Sequence, residues 1–316
     1  MNNQFIQRVI FDWNRIDNDS YLKRIKAFKG IQKLDFNKAI TFFVGENGSG
    51  KSTLLEALAV AHGFNPEGGT KNYVFSTHDT HSELCDAIRI SKGYRKEKWG
   101  YFLRTESFYN VATKEEEYAD LAHPSAKYHE KSHGESFLAL AQNNLHPNGL
   151  YLFDEPEAAL SPQRQLTLLM QIYSCAKEGA QFIIVTHSPI LLGIPDADIY
   201  CFDNGRIHLC EYEDTESYQV TEMFINNRQM LLDRLLTDYL RCIFSVASRH
   251  AFETYWLPRS EWIISGKSVL RQAFALLIVS TTVDTSIVSA RVQAMIFRAY
   301  KSITQLRYTK PSCVQI

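Results

Sequence analysis

Residues Gly45-Glu46-Asn47-Gly48-Ser49-Gly50-Lys51-Ser52 have the spacing G-x-x-x-x-G-K-S of a phosphate-binding loop. Glycines let a backbone wrap an anion with its N–H groups pointing inward. A helix that begins directly after the loop turns its positive end to the same anion. In that arrangement Asn47, Gly48, Ser49 and Gly50 form the cradle and Lys51 reaches the β- and γ-phosphates. Ser52 places its hydroxyl on Mg²⁺, and Thr53 contacts the α-phosphate. The expected ligand is a nucleoside triphosphate with magnesium.

Two further segments carry matching chemistry. Leu150-Tyr151-Leu152-Phe153-Asp154-Glu155-Pro156 is an apolar run that ends in two acids. Adjacent carboxylates at the end of a buried strand are costly unless a cation neutralises them. Asp154 is therefore the expected second Mg²⁺ residue, and Glu155 the general base for an attacking water. Phe182-Ile183-Ile184-Val185-Thr186-His187-Ser188-Pro189 repeats the pattern with His187 at its end, 32 residues after Glu155. A neutral imidazole there can hydrogen-bond the γ-phosphate and hold the water.

The surrounding sequence supplies elements to position these groups. Residues 39–44 read as a strand, the loop follows, and 53–61 carry helix formers at helical spacing. Residues 86–91 and 100–105 read as two strands with the charged turn SKGYRKEKWG between them. Residues 135–144 read as a helix, 150–153 as a buried parallel strand, 163–176 as a helix and 182–185 as another buried strand. Residues 198–202 and 206–212 read as a hairpin turning at Asp203-Asn204-Gly205, and 223–240 as a helix. Alternation of this kind implies a mostly parallel sheet covered by helices.

Bulk properties narrow the class. The chain has 316 residues and net charge −1, so no global field favours an acidic partner. Its six cysteines, Cys85, Cys175, Cys201, Cys210, Cys242 and Cys313, form no CxxC pair and read as reduced, buried thiols of a cytoplasmic protein. The N-terminus lacks the basic and apolar regions of a signal peptide, and the apolar run 273–279 is too short to span a bilayer. Residues 242–316 hold nine Lys and Arg against three Asp and Glu, whereas the other 241 hold 25 against 32. The expected division is therefore 1–240 and an appended, basic segment 241–316.

These motifs resemble the ABC ATPases: GENGSGKS as Walker A (45–52), LYLFDE as Walker B (150–155), and His187 as the switch histidine. SHGES at Ser132–Ser136 looks like a divergent signature motif. DEPEAALSP, HGESF and GYFLRTESFYNVA are similar to small stand-alone bacterial ABC-like and SMC-like ATPases. The resemblance covers about residues 1–240. It implies an α/β P-loop fold of ABC type, with a mostly parallel sheet, an antiparallel β subdomain and a helical signature subdomain. It implies ATP and Mg²⁺ as ligands and a homodimer with ATP sandwiched between subunits. There Ser132, Gly134 and Glu135 would meet the nucleotide held by the other subunit. Catalysis would fall to Glu155, His187 and Lys51.

The sequence departs from the family pattern in three places. His133 replaces the first glycine of the common LSGGQ signature, Ser161 stands where transporters carry the D-loop aspartate, and no clear Q-loop glutamine is present, with Glu106 or Ser107 as candidates for its place. Phe11, Trp13 and Tyr21 are candidates for stacking on adenine, with core packing as the competing role. His78, Asp79 and His81 offer ligand-type atoms but read as a polar loop. Trp99, Tyr101, Phe108 and Tyr109 read as core. Lys92, Arg95, Lys96 and Lys98 form a basic tip that could touch DNA phosphates, with a solvated turn as the plainer reading. Only 79 residues separate Ser52 from Ser132, too few for coiled-coil arms. The expected role is a soluble ATP-driven switch acting on a partner protein or DNA. The alternatives are a nucleotide-binding subunit of a transporter or a non-hydrolysing sensor.

Overall fold

The computed structural model describes residues 3–71, 82–104, 138–139 and 143–255, with side chains described to residue 236. It divides into two compact units, Met1–Gln219 and Val220–Ile316. The expected boundary after residue 240 falls within the last helix. His78, Asp79, His81, Glu106, Ser107, Phe108, Tyr109, the signature residues Ser132, His133, Gly134 and Glu135, and the tail from 256 lie outside the described residues.

The first unit is built on a six-stranded sheet. Its strands are β3 (Ile40–Val44), β5 (Trp99–Arg104), β6 (Gly149–Asp154), β7 (Gln181–Val185), β8 (Ala197–Asp203) and β9 (Arg206–Cys210), ordered β5-β6-β7-β3-β8-β9. All neighbours are parallel except the β8–β9 hairpin. In β3 and β7 every residue is buried, as expected for parallel strands covered on both faces. Alternate residues feed two cores. Phe43, Leu152, Ile183 and Val185 face one side, with Leu54, Leu55 and Leu58 of α1 (Lys51–His62). Phe42, Phe153, Phe182 and Ile184 face the other, with Leu168 and Ile172 of α3 (Pro162–Lys177). The short helices α2 (Leu84–Ala87) and α4 (Pro189–Leu192) lie before residue 88 and directly after β7.

A second sheet is antiparallel, ordered β2-β1-β4, from β1 (Ile6–Phe11), β2 (Lys33–Asp35) and β4 (Ile88–Lys92). Here one expectation fails. The strands on either side of the charged turn do not form a hairpin: β4 pairs with β1, and β5 is an edge of the large sheet. Residues 93–98 are a crossover between sheets. Arg95 is held within the fold, by Asn148 and by the Gly179 carbonyl at 3.3 Å, over the Phe5 ring. It is therefore no member of a free basic tip, whereas Lys92, Lys96 and Lys98 are exposed.

The hairpin at Asp203-Asn204-Gly205 forms as expected. Asn204 (φ 48°) and Gly205 (φ 73°) both take positive φ, which suits a tight two-residue turn between twisted strands. The hairpin also corrects the expectation of uniformly reduced thiols. Cys201 and Cys210 sit on facing strands and are joined as a disulfide, with Cα atoms 6.3 Å apart. Among the described cysteines only Cys85 and Cys175 are free. A search for CxxC pairs misses a bond made by strand pairing.

The second unit is described through helix α5 (Glu216–Tyr255), which contains the expected helix 223–240 and departs from helical geometry at Asn227. Within it Met223 and Leu231 are buried, with Leu235 packed on them. No described helix is long and apolar enough to cross a membrane.

The two sheets are joined by Gln181. Its side chain is fully buried; Oε1 accepts from Ile6 N–H at 2.9 Å and Nε2 donates to the Ile6 carbonyl at 2.8 Å. Replacing it by leucine would strand a buried backbone donor and acceptor, each worth about 1–3 kcal/mol. Gln181→Leu should lower unfolding free energy by roughly 2–4 kcal/mol in urea titrations. A loss under about 0.5 kcal/mol would show that this link contributes nothing.

Candidate active site

Three adjacent strands deliver the chemistry. Order β6-β7-β3 puts Asp154 and Glu155, His187, and the phosphate loop at the carboxyl ends of neighbouring parallel strands, where open α/β sheets bind ligands. Cross-strand register brings Phe43 opposite Val185 and Val185 opposite Asp154.

The loop needs its glycines at specific points. Gly45 has φ +142°, and a Cβ there would lie 2.8 Å from the Phe202 carbonyl oxygen. Gly50, the residue before α1, has φ +96°; a Cβ would strike Phe28 at 2.8 Å and Ile25 at 3.0 Å. Glu46, Asn47 and Gly48 are exposed at the crest of the loop. Ser49 Oγ is buried and makes no hydrogen bond among the described residues. Thr53 is half-buried in the first turn of α1.

Lys51 is 5% exposed, and its ammonium folds back to donate to the carbonyls of Gly45 (2.7 Å) and Glu46 (2.8 Å). Burial lowers its pKa, while the carboxylates of Glu155, Asp154 and Glu46 oppose that shift. Ser52 Oγ donates to Asp154 Oδ1 at 2.9 Å. Neighbouring oxygens around octahedral Mg²⁺ with bonds of about 2.0–2.1 Å lie roughly 2.8–3.0 Å apart, so this pair fits the cation.

Glu155 adopts φ +48°, a left-handed backbone that costs a non-glycine residue on the order of 1 kcal/mol. Its N–H bonds the Val185 carbonyl at 3.0 Å, which fixes the turn after β6 against β7. Its Oε1 lies 3.8 Å from His187 Nε2. Burial and then the charge of Lys51 lower the His187 pKa below its usual 6.5, with Glu155 opposing. The shift favours the neutral imidazole, and its Nε2 has no hydrogen-bond partner among the described residues.

Local pattern assigns no role to Glu157, which organises this corner. Glu157 Oε1 accepts the His187 backbone N–H at 2.6 Å, and the neighbouring Thr186 side chain helps to hold its charged form. Thr186 Oγ1 accepts from Ser188 N–H at 3.0 Å, Ser188 Oγ donates to Gln165 at 2.6 Å, and Gln165 donates to the Leu160 carbonyl at 3.0 Å. This network ties the segment after β7 to the segment after β6. Burial raises the Glu157 pKa. The available signal was an acid set one residue after Pro156, beside two other acids. Ser161 caps α3 by accepting from Arg164 N–H at 3.4 Å.

Of the adenine candidates, Phe11 is buried and stacks on Trp13 at 5.7 Å, and Trp13 donates to the Ile31 carbonyl at 2.6 Å. Tyr21 alone is exposed. Tyr101 is core, whereas Trp99 is exposed and packs on His146 at 4.5 Å.

Comparison with known proteins agrees with this geometry. A family model described as "AAA domain" matches residues 21–144, and one described as "AAA domain, putative AbiEii toxin, Type IV TA system" matches 136–193. The xylose/arabinose import ATP-binding protein XylG of Sulfolobus acidocaldarius is 28% identical over 63% of this chain and 88% of its own length. The phosphate import ATP-binding protein PstB 1 of Streptococcus pneumoniae is 34% identical over 24% of this chain, which spans about a third (31%) of that relative. Among solved structures, the SMC head domain from Thermotoga maritima superposes at a TM-score of 0.37 with 14% identity, covering 65% of this chain and 98% of that one. The ADP conformation of MJ1267, an ATP-binding cassette of an ABC transporter, gives 0.37 with 20% identity, covering 70% and 98%. A complete phosphate loop with paired carboxylates and a histidine on adjoining strands, in a chain whose residues 21–144 and 136–193 match AAA-domain family models and whose sequence is similar to an import ATP-binding protein, is that of a P-loop ATPase.

Proposed function

We propose that this ATPase binds Mg²⁺–ATP at the loop 45–52 and hydrolyses it as a switch that closes two copies of the chain around the nucleotide. The observation that carries this reading is the contact of Ser52 with Asp154, beside Lys51, Glu155 and His187. Asn47, Gly48, Ser49, Gly50 and Thr53 would surround the phosphates, and Lys51 would exchange its two carbonyl partners for phosphate oxygens. Ser52 and Asp154 would hold Mg²⁺, which screens the phosphate charge. Glu155 would take a proton from water as its oxygen attacks the γ-phosphorus, the bond to the bridging oxygen breaks and ADP leaves. Neutral His187 would bond the γ-phosphate. Ser132, Gly134 and Glu135 would cap the partner's nucleotide, with residues 1–240 as the ATPase domain and 241–316 as an appended segment.

The work done by the switch is proposed to be control of a partner protein, of defence or repair type. The match of residues 136–193 to a family described by a toxin–antitoxin system supports this. DNA is a weaker candidate partner, because Arg95 is committed inside the fold. A second reading, the nucleotide-binding subunit of a transporter, is favoured by the similarity to two import ATP-binding proteins. Co-purification with a membrane protein would support it.

Glu155→Gln should abolish ATP turnover while retaining ATP, and light scattering should then find a dimer with Mg²⁺–ATP. Unchanged turnover, or a monomer at saturating ATP, would overturn the proposal. His187 should titrate below 6.5 in a proton NMR experiment, and Lys51→Met should raise that value by removing a nearby positive charge; an unmoved value would contradict the assigned cause. Glu157→Ala should reduce kcat by about 10- to 100-fold with little change in KM, whereas Glu157→Gln keeps an acceptor for His187 N–H and most of the activity. On a His187→Ala background the Glu157→Ala loss should vanish. Additive losses would place its action elsewhere.

A further inference from the structure

The β8–β9 hairpin carries a second cluster, separate from the nucleotide site, that the ATPase reaction does not use. Cys201 stands opposite His208, and Asp203 and Cys210 lie two residues along the same strands. Side chains alternate across a strand, so all four belong to one face of the hairpin. Ligand atoms of Cys201, Asp203 and His208 lie within 4.8 Å of one another, and Cys210 is joined to Cys201.

We propose that the reduced hairpin is a zinc site with Cys201, Asp203, His208 and Cys210 as ligands, and that the Cys201–Cys210 disulfide is its metal-free, oxidised alternative.

Three observations carry this. His208 Nδ1 is buried and makes no hydrogen bond among the described residues, which leaves it available to a metal ion. It sits 3.4 Å from Asp203 Oδ1. Two ligands on a tetrahedron with bonds of about 2.0–2.1 Å are separated by about 3.3–3.4 Å, so the pair already spans one edge of such a site. The set of two sulfurs, one imidazole and one carboxylate also suits zinc rather than magnesium.

Conversion requires a dithiol reductant. Its two sulfurs give two electrons and two protons to the disulfide; the S–S bond of Cys201–Cys210 breaks and one forms in the reductant. Zinc binding then displaces the two thiol protons into solvent.

The test uses the full-length protein and Co²⁺ as a spectroscopic probe for zinc. After dithiothreitol treatment and its removal without air, one Co²⁺ per chain should give intense tetrahedral d–d bands and a sulfur-to-cobalt charge-transfer band, both lost on adding Zn²⁺. Disulfide-intact protein should show neither. His208→Ala and Asp203→Asn, at partly exposed positions where folding is safe, should each weaken binding about tenfold or more. Cys210→Ser should remove part of the charge-transfer intensity. Weak octahedral bands alone, equal binding by the oxidised protein, or unchanged affinity in both His208→Ala and Asp203→Asn would overturn the proposal.

Discussion

Residues 102 positions apart meet when Ser52 donates to Asp154, and the site rests on that contact. It exists because β3 and β6 flank β7 in one parallel sheet. Parallel neighbours end at the same side, so a loop after β3, a pair of acids after β6 and a histidine after β7 converge without special design. The condition is strict. A one-residue slip of β6 would turn Asp154 to the other face and put Phe153 out of its core. The two apolar cores on either side of the sheet hold that register, so the chemistry inherits its positional accuracy from packing.

A second constraint is the management of charge. Lys51 is buried among carboxylates, burial and the Lys51 charge favour neutral His187, and Glu157 is buried beside them with its pKa raised. Glu157 grips backbone rather than a reacting atom. It fixes His187 through the main chain, leaving the imidazole nitrogen free for work.

Much of this was legible in the residues. The loop, the acids after an apolar run and the terminal histidine each declare themselves by local pattern, and the strand–loop–helix order around Gly45–Ser52 follows from periodicity. What sequence could not show was pairing over distance. Residues 86–91 and 100–105 look like a hairpin because a charged turn links them, yet Arg95 finds partners on both sides of the crossover and the two strands join different sheets. Gln181 reads as an ordinary polar start to a strand, and only burial against Ile6 reveals it as a joint between sheets. Cys201 and Cys210 are nine residues apart, and their meeting depends on the hairpin register. Glu157 was visible in the pattern after Pro156, but its target is a main-chain N–H 30 residues on.

The retracted posture of Lys51 has a consequence for discrimination. Its ammonium is already satisfied by two carbonyls of its own loop. An incoming anion must displace both bonds before it gains the lysine. A single inorganic phosphate offers few contacts to offset that exchange, whereas a longer polyanion can first be gripped by the amides of the loop. The resting loop thus sets a threshold against small, abundant anions, and selectivity begins before any base or sugar is sensed.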